Sequence, residues 1–205
     1  MAEKKDVIHP SLWTPRPVDE TIAVYKDWAK SYDADIHARG YRTPARLAAA
    51  FRDYVDPGQT VLDFGCGTGI GGAALRTVGF ETLHGTDVTA AMLEKGAKSG
   101  IYEKIWLSEP GKLDVQPGAY GGIFACGVIS LAAAPASTLA LVVSALGPGG
   151  ILGLSYNDPT LKDQSYLDAL QHEIDMDRVA QVFREHGPHL EDVDMGSDVI
   201  ILRRL

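Results

Sequence analysis

Short apolar segments alternate with amphipathic ones along most of the chain after about residue 60. Apolar segments of four or five residues, bounded by turn residues, predict buried β-strands. The segments that fit this pattern are Thr60–Phe64, Thr82–Thr86, Lys104–Leu107, Gly122–Cys126 and Ile151–Ser155. Apolar residues recur at helical spacing in the segments that end near Arg76, Lys98 and Ala145. Strands that alternate with helices predict a mostly parallel sheet with helices on both faces.

The end of the chain predicts a long helix followed by a β-hairpin. The helix would span about Gln164–Glu185, and the two strands would be His189–Met195 and Val199–Arg203. Gly196 and Ser197 lie between these strands and suit a tight turn. Because a tight turn joins antiparallel strands, the complete prediction is a seven-stranded, mostly parallel sheet with a C-terminal antiparallel hairpin.

The first 58 residues have a different pattern. Residues 1–18 contain three prolines and predict an extended arm. Asp19 is a suitable N-cap for a helix that would run to about Ala38, with its aromatic residues on one face. We therefore expect an N-terminal arm and helical cap over residues 1–58 and an α/β core over residues 59–205, within one compact domain.

Composition and charge narrow the class of protein. Of the 205 residues, 45% are apolar and 22% are charged, which is typical of a globular chain. The net charge of −8 argues against binding to nucleic-acid phosphates, and no apolar run reaches the ~18 residues of a membrane helix. The charged start of the chain does not resemble a signal peptide. We therefore expect a cytoplasmic protein with no nucleic-acid or membrane partner, whose oligomeric state is open.

A glycine-rich loop follows the first predicted strand of the core. Gly65, Gly67 and Gly69 lie between that strand and the next helix, so backbone N–H groups can come close to a ligand. Residues 67–72 also fit the G-x-G-x-x-G pattern of dinucleotide-binding proteins, so a nicotinamide-dependent oxidoreductase is one alternative. However, Asp63 at the strand end would repel a bound pyrophosphate, whereas it suits a cationic ligand.

The same loop resembles the D/E-x-G-x-G-x-G motif of class I S-adenosylmethionine (SAM)-dependent methyltransferases. Residues 85–93 resemble the second motif of that family, and residues 146–150 resemble its L-x-P-G-G turn before strand five. Residues 25–33 and 40–44 are similar to the N-terminal signature of the Williams–Beuren critical-region subgroup of methyltransferase-like proteins. The resemblance covers about residues 20–160 and implies a Rossmann-like methyltransferase fold.

The resemblance also implies SAM as the cofactor and S-adenosylhomocysteine (SAH) as its product. The family's acid at the position of Asp87 binds the ribose hydroxyls, and Glu109 is the candidate acid near the adenine. Asp63 would steady the loop or meet the ammonium group. The candidate cofactor-binding residues lie on the glycine loop, at the ends of later strands and on the N-terminal helix: Asp63, Phe64, Gly65, Cys66, Gly67, Thr68, Gly69, Asp87, Val88, Met92, Ser108, Glu109, Cys126, Gly127, Tyr32 and Trp28.

The acceptor side of the site is less well defined by the sequence. Tyr25, His37 and Tyr156 are the candidates for the substrate pocket. No catalytic residue is assigned, because methyl transfer from a sulfonium by in-line displacement can depend mainly on alignment. The six histidines are scattered and no Cys-x-x-Cys occurs, so we expect no metal site. The sequence predicts a methyltransferase for a small-molecule acceptor; the alternative is a SAM- or SAH-binding protein with a sensing or partner role.

Overall fold

The computed structural model describes residue 14 and residues 16–205. Most of the arm predicted over residues 1–18 therefore lies outside the described residues. The division into a cap of residues 1–58 and a core of residues 59–205 stays a prediction.

One sheet of seven strands runs through the described part of the chain. The strands are β1 (Val61–Phe64), β2 (Leu83–Asp87), β3 (Lys104–Leu107), β4 (Gly122–Ala125), β5 (Ile151–Asn157), β6 (Val179–Leu190) and β7 (Met195–Arg204). Their order is β3-β2-β1-β4-β5-β7-β6, and the pairs are parallel except for β5 with β7 and β7 with β6. This confirms the predicted mostly parallel sheet with a C-terminal antiparallel hairpin.

Helices cover both faces of the sheet. They are α1 (Val18–Trp28), α2 (Tyr32–Ala38), α3 (Thr43–Arg52), α4 (Ile70–Thr77), α5 (Ala90–Lys98), α6 (Thr138–Ser144), α7 (Asp158–Leu161) and α8 (Gln164–Asp175). Side chains of α6 and α8 pack with Leu62 of β1, whereas those of α3 and α4 pack with Val61. Successive residues of a strand point to opposite faces, which is why β1 is apolar at both positions.

The helix predicted to run to Glu185 is wrong in its second half. Helix α8 ends at Asp175, and β6 begins at Val179. The reason is long-range pairing, because β6 satisfies its backbone groups against β7 along nearly its whole length. Val182 and Phe183 of β6 also pack against the core below α3. Neither contact can be read from the local spacing of apolar residues.

The position of the predicted hairpin turn is also wrong. The chain reverses through a 3-10 turn at Glu191–Val193, followed by Asp194 with a left-handed φ of 50°. The segment predicted as the strand His189–Met195 is therefore mostly turn. Gly196 and Ser197 lie inside β7 and pair with β6. Asp tolerates the left-handed conformation, which lets this turn form without glycine.

The single helix predicted over residues 20–38 is two helices, α1 and α2. Helix α1 begins at Val18, so Asp19 lies in its first turn and is not its N-cap. Between the two helices, the indole N–H of Trp28 donates a hydrogen bond to the Asp35 carboxylate at 2.8 Å. This bond ties α2 back to the end of α1 across the break.

Phe51 joins α3 to the middle of the sheet. Its ring is fully buried, and its centroid lies 5.6 Å from that of Phe124 on β4. Gly122 on β4 and Gly153 on β5 leave the space that this ring occupies. A Cβ atom at Gly153 would lie 2.8 Å from Cδ2 of Phe51, and one at Gly122 would lie 2.5 Å from its Cζ. The two glycines therefore set how closely α3 approaches the sheet.

We expect Gly153→Ala to destabilise the protein, because the added methyl group overlaps with the Phe51 ring. Overpacking of this kind costs ~1–3 kcal/mol of unfolding free energy. Denaturant titration followed by circular dichroism measures the change. Gly58→Ala is the matched control, since a Cβ there meets only the Asp56 carboxylate, at 3.4 Å. Equal stability of wild type and Gly153→Ala would contradict the packing argument.

Candidate cofactor-binding pocket

A pocket of about 450 Å³ lies at the carboxyl ends of the parallel strands. Residues that follow β1, β2, β3 and β4 line its floor, including Gly65, Val88, Glu109 and Gly127. Helices α1 and α2 contribute side chains to its wall. Open parallel sheets bind ligands at this edge, and the volume is in the range of small-molecule sites.

The glycine loop between β1 and α4 has the conformation that its sequence predicts. Gly65, Gly67 and Gly69 have φ values of 71°, 52° and 102°, which side chains other than glycine rarely adopt. The N–H groups of Gly65 and Cys66 both donate to the carbonyl of Thr86 on β2. A Cβ at Gly65 would lie 2.3 Å from the Val128 side chain. The loop is therefore held close to β2 and β4 with its backbone facing the pocket.

Asp87 connects this loop to the end of β2. Its Oδ2 accepts the N–H of Gly67 at 2.9 Å, and its Oδ1 accepts the N–H of Thr89 at 2.7 Å. Burial raises the pKa of the Asp87 carboxyl, and these hydrogen bonds oppose that rise. Each carboxylate oxygen can accept a second hydrogen bond, so the group can also bind a ligand's hydroxyls.

Asp63 is a buried carboxyl group at the end of β1. The hydroxyl of Tyr102 donates to its Oδ2 at 2.6 Å. Burial raises its pKa to about 7, the nearby Asp87 carboxylate adds to the rise, and hydrogen bonds from Tyr102 and the Gly72 backbone oppose it. Through Gly72 the side chain contacts the first turn of α4, and its predicted contact with the glycine loop or with an ammonium group stays a prediction.

The chemistry of the lining fits a cationic ligand that carries hydroxyl groups. Asp63 and Asp87 supply carboxyl oxygens, and the buried hydroxyl of Thr68 has no hydrogen-bond partner among the described residues. The one cationic side chain among the described lining residues is Lys112, which is paired with Glu109. A pyrophosphate would meet carboxylates there, whereas SAM brings a ribose diol, an ammonium and a sulfonium. The residues present therefore fit SAM.

A comparison with protein families points to the same ligand. Residues 35–191 match a family described as a methyltransferase domain. The chain belongs to the class I SAM-dependent methyltransferases. Family membership implies SAM as the cofactor, as predicted from the glycine loop and Asp87. It also argues against the nicotinamide-dependent alternative.

Two curated relatives show how far the similarity of this chain extends. It is 32% identical over 162 residues to human methyltransferase-like protein 27, which covers 76% of this chain and 65% of that protein. It is 28% identical over 161 residues to the ribosomal protein L11 methyltransferase of Burkholderia vietnamiensis, which covers 71% of this chain and 51% of that protein. The chain thus spans just under two thirds of one relative and about half of the other.

Structural similarity is broader than similarity in chemistry. The chain superposes on the crystal structure of the cyclase SpnF with a TM-score of 0.71 at 14% identity, covering 93% of this chain and 97% of that one. At this identity the likeness shows the fold alone. A cyclase with the same fold illustrates that function has to be argued from the site.

Most of the residues predicted for the cofactor line the pocket. Lining residues from that set are Asp63, Phe64, Gly65, Cys66, Gly67, Thr68, Asp87, Val88, Met92, Ser108, Glu109, Cys126, Gly127 and Tyr32, and the substrate candidate Tyr25 lines it as well. The structure therefore brings these residues together. The contact of each with SAM stays a prediction.

The remaining four candidates lie outside the lining. Gly69 is the N-cap of α4 and faces Tyr102 and its neighbours. Trp28 packs edge-on against Tyr32, with ring centroids 4.7 Å apart, and its indole N–H donates a hydrogen bond to Asp35. His37 is exposed on α2. Tyr156 is fully buried in the core beside Tyr166, because both faces of β5 are covered.

Two residues important to the site carried no clear local signal. Tyr102 holds Asp63 from the loop before β3, and Tyr41 lines the pocket. Tyr41 lies in the N-terminal segment that resembles the family signature, but nothing in its spacing places it above β4.

Among the described residues, no three His, Cys, Asp or Glu side chains come together as metal ligands do. No helix of the described chain is long and apolar enough to cross a membrane.

We expect Asp63→Asn to change how the stability of the protein depends on pH. The pKa of Asp63 is about 7 when folded and about 3.9 in an unfolded chain, so the folded state binds the extra proton between these values. Stability from this group is present below pH 4 and is lost as the pH rises through 7. Asparagine removes that loss. The melting temperature of the variant, relative to that of wild type, should therefore increase as the pH is raised from 5 to 8.

Thermal unfolding at pH 5, 6, 7 and 8, without ligand, measures this difference. Asp53→Asn is the control, because Asp53 is an exposed carboxylate just beyond α3. Melting temperatures of Asp63→Asn and wild type that run parallel across this range would contradict the assignment.

Proposed function

We propose that this protein transfers a methyl group from SAM to a small-molecule acceptor. The proposal rests on one observation, which is the pocket enclosed between the strand ends and helices α1 and α2. Its floor carries the glycine loop and Asp87, which suit the cofactor. Its wall carries the aromatic side chains of Tyr25, Tyr32 and Tyr41, which suit an acceptor beside the cofactor.

The residues of the pocket bind and orient in distinct ways. Asp87 would accept hydrogen bonds from the ribose hydroxyls while it holds the loop through Gly67. The backbone of the glycine loop would pass along the methionine part, and Val88 and Met92 would pack on the adenine. SAM supplies an activated methyl group on a sulfonium with a good leaving group. Alignment and exclusion of water are the contributions that this chain has to make.

A small acceptor is favoured by the shape and charge of the wall. Ile22 of α1 and Leu141 of α6 give it an apolar surface, to which Ala134 and Pro135 also contribute. The net charge of −8 disfavours an RNA acceptor. The L11 methyltransferase is named for a protein acceptor, but this chain spans only half of it. A macromolecular acceptor is therefore the competing outcome of the experiment below.

No general base is part of the proposal. Asp63 is buried and accepts a hydrogen bond from the Tyr102 hydroxyl. Burial raises the pKa of Tyr25 to about 12, and it raises the pKa values of Tyr32 and Tyr41 as well. The tyrosine hydroxyls are therefore neutral near pH 7 and can orient a polar group but not remove its proton. Catalysis would then depend on proximity more than on proton transfer.

We expect SAH to bind the wild-type protein and to bind Asp87→Ala much more weakly. Loss of two hydrogen bonds to the ribose and of the support for Gly67 should reduce affinity by roughly 30- to 1,000-fold. Isothermal titration calorimetry measures both affinities, and Asp53→Ala is the matched control on the surface. A wild-type protein that binds neither SAM nor SAH would contradict the proposed cofactor.

The acceptor class is tested by methyl transfer from labelled SAM in a cell extract separated by size. We expect label in the small-molecule fraction and its absence with Asp87→Ala. Label in protein or RNA alone would replace the small acceptor by a macromolecular one. Tight SAH binding without label in any fraction would favour the alternative of a non-catalytic SAM- or SAH-binding protein.

A further inference from the structure

Tyr41 is held rigidly above the end of β4 by the C-terminal hairpin. Its backbone forms an isolated antiparallel bridge with Leu190, and the next N–H, of Arg42, donates to the carbonyl of His189 at 2.9 Å. The ring of His189 meets the Tyr41 ring edge-on, with centroids 5.1 Å apart and an interplanar angle of 80°. The orientation of Tyr41 is thus set from outside the pocket.

The hydroxyl of Tyr41 lies over the last residues of β4. It is 3.7 Å from Sγ of Cys126, and a Cβ at Gly127 would lie 2.9 Å from it. Gly127 has a φ of 69°, which side chains other than glycine rarely adopt. Glycine at this position therefore permits both this backbone conformation and the close approach of the hydroxyl. A thiol is a weak hydrogen-bond partner, and no other polar contact of this hydroxyl occurs among the described residues. Most of its hydrogen-bonding capacity therefore faces the pocket.

The order of the strands indicates which part of a bound cofactor this hydroxyl would meet. Asp87 ends β2, the glycine loop follows β1, and Tyr41 lies above β4, so the three features follow the sheet order β2-β1-β4. A cofactor with its ribose on Asp87 and its methionine part along the glycine loop directs its sulfonium toward β4. The transferred methyl group and the accepting atom would therefore lie near the Tyr41 hydroxyl.

We propose that the Tyr41 hydroxyl accepts a hydrogen bond from the methyl-accepting group and so orients an N–H or O–H nucleophile toward the sulfonium. The proposal rests on the proposed function, because it needs SAM in the pocket. Burial raises the pKa of Tyr41, so the group is a neutral phenol with oxygen lone pairs available. Amines, alcohols and phenols are the acceptors that such a contact selects. Their lone pair bonds the methyl carbon as the carbon–sulfur bond breaks, SAH leaves with that electron pair, and the acceptor's proton passes to water.

Sinefungin is a suitable probe, because it is an analogue of SAH that carries a primary amine in place of the sulfonium methyl. We expect Tyr41→Phe to weaken sinefungin binding roughly 10- to 100-fold, since it removes a hydrogen bond to a charged amine. SAH has no group at this position, so its affinity should stay within about twofold. Phenylalanine keeps the ring on His189, so the fold should be retained, and thermal unfolding checks this.

Tyr54→Phe is the matched control. The Tyr54 hydroxyl donates to the carbonyl of Val182 at 3.2 Å, and Tyr54 does not line the pocket. Calorimetric titration of the wild type and both variants with sinefungin and with SAH gives the ratio of the two affinities. An unchanged ratio in Tyr41→Phe, or an equal loss for both ligands, would overturn the assignment of Tyr41. Failure of the wild type to bind SAH would instead overturn the proposed function itself.

Discussion

The carboxylate of Asp87 makes the pair of hydrogen bonds on which the geometry of the site depends. One oxygen holds the N–H of Gly67 in the loop after β1, and the other holds the N–H of Thr89 at the start of α5. The loop, β2 and α5 are therefore fixed to one another by a single side chain. Because hydrogen bonds to a charged group are stronger than neutral ones, this arrangement holds the loop firmly in its conformation. The remaining lone pairs of the same group are those that would accept the ribose hydroxyls in the proposed complex.

The parallel strands of the sheet carry the floor of the pocket, and the antiparallel hairpin of β6 and β7 holds part of its wall in place. His189 lies on β6 just before the turn, and its Nδ1 is 2.8 Å from the Thr43 hydroxyl at the start of α3. That hydroxyl is also 2.7 Å from the Ser197 hydroxyl on β7. Burial lowers the pKa of His189 to about 4, so the ring is neutral in this network. The N-terminal segment that carries Tyr41 is thereby attached to the edge of the sheet at two neighbouring positions.

The sequence predicted the parts of this structure that depend on local geometry. The glycine loop was predictable because alternating glycines after a buried strand meet a conformational requirement that few other residues meet. Asp87 followed from the family resemblance. The identity of β6 was not predictable, because its helical spacing of apolar residues competes with pairing to β7, a contact made only in the folded chain. Tyr102 and Tyr41 reach the site from distant segments, and no spacing in the sequence relates them to Asp63 or Gly127.

The two buried carboxyl groups Asp63 and Asp87 give the pocket a preference for positively charged ligands that its shape alone would not give. Asp63 and Asp87 are buried close enough for the charge of Asp87 to raise the pKa of Asp63, after the larger effect of burial. In the free protein a proton on Asp63 relieves this repulsion near neutral pH. A ligand with a positive charge beside the pair would also relieve it, so cation binding and protonation would oppose each other at Asp63. SAH lacks the sulfonium charge of SAM, so in the proposed complex these two carboxyl groups would attract the product less than the cofactor.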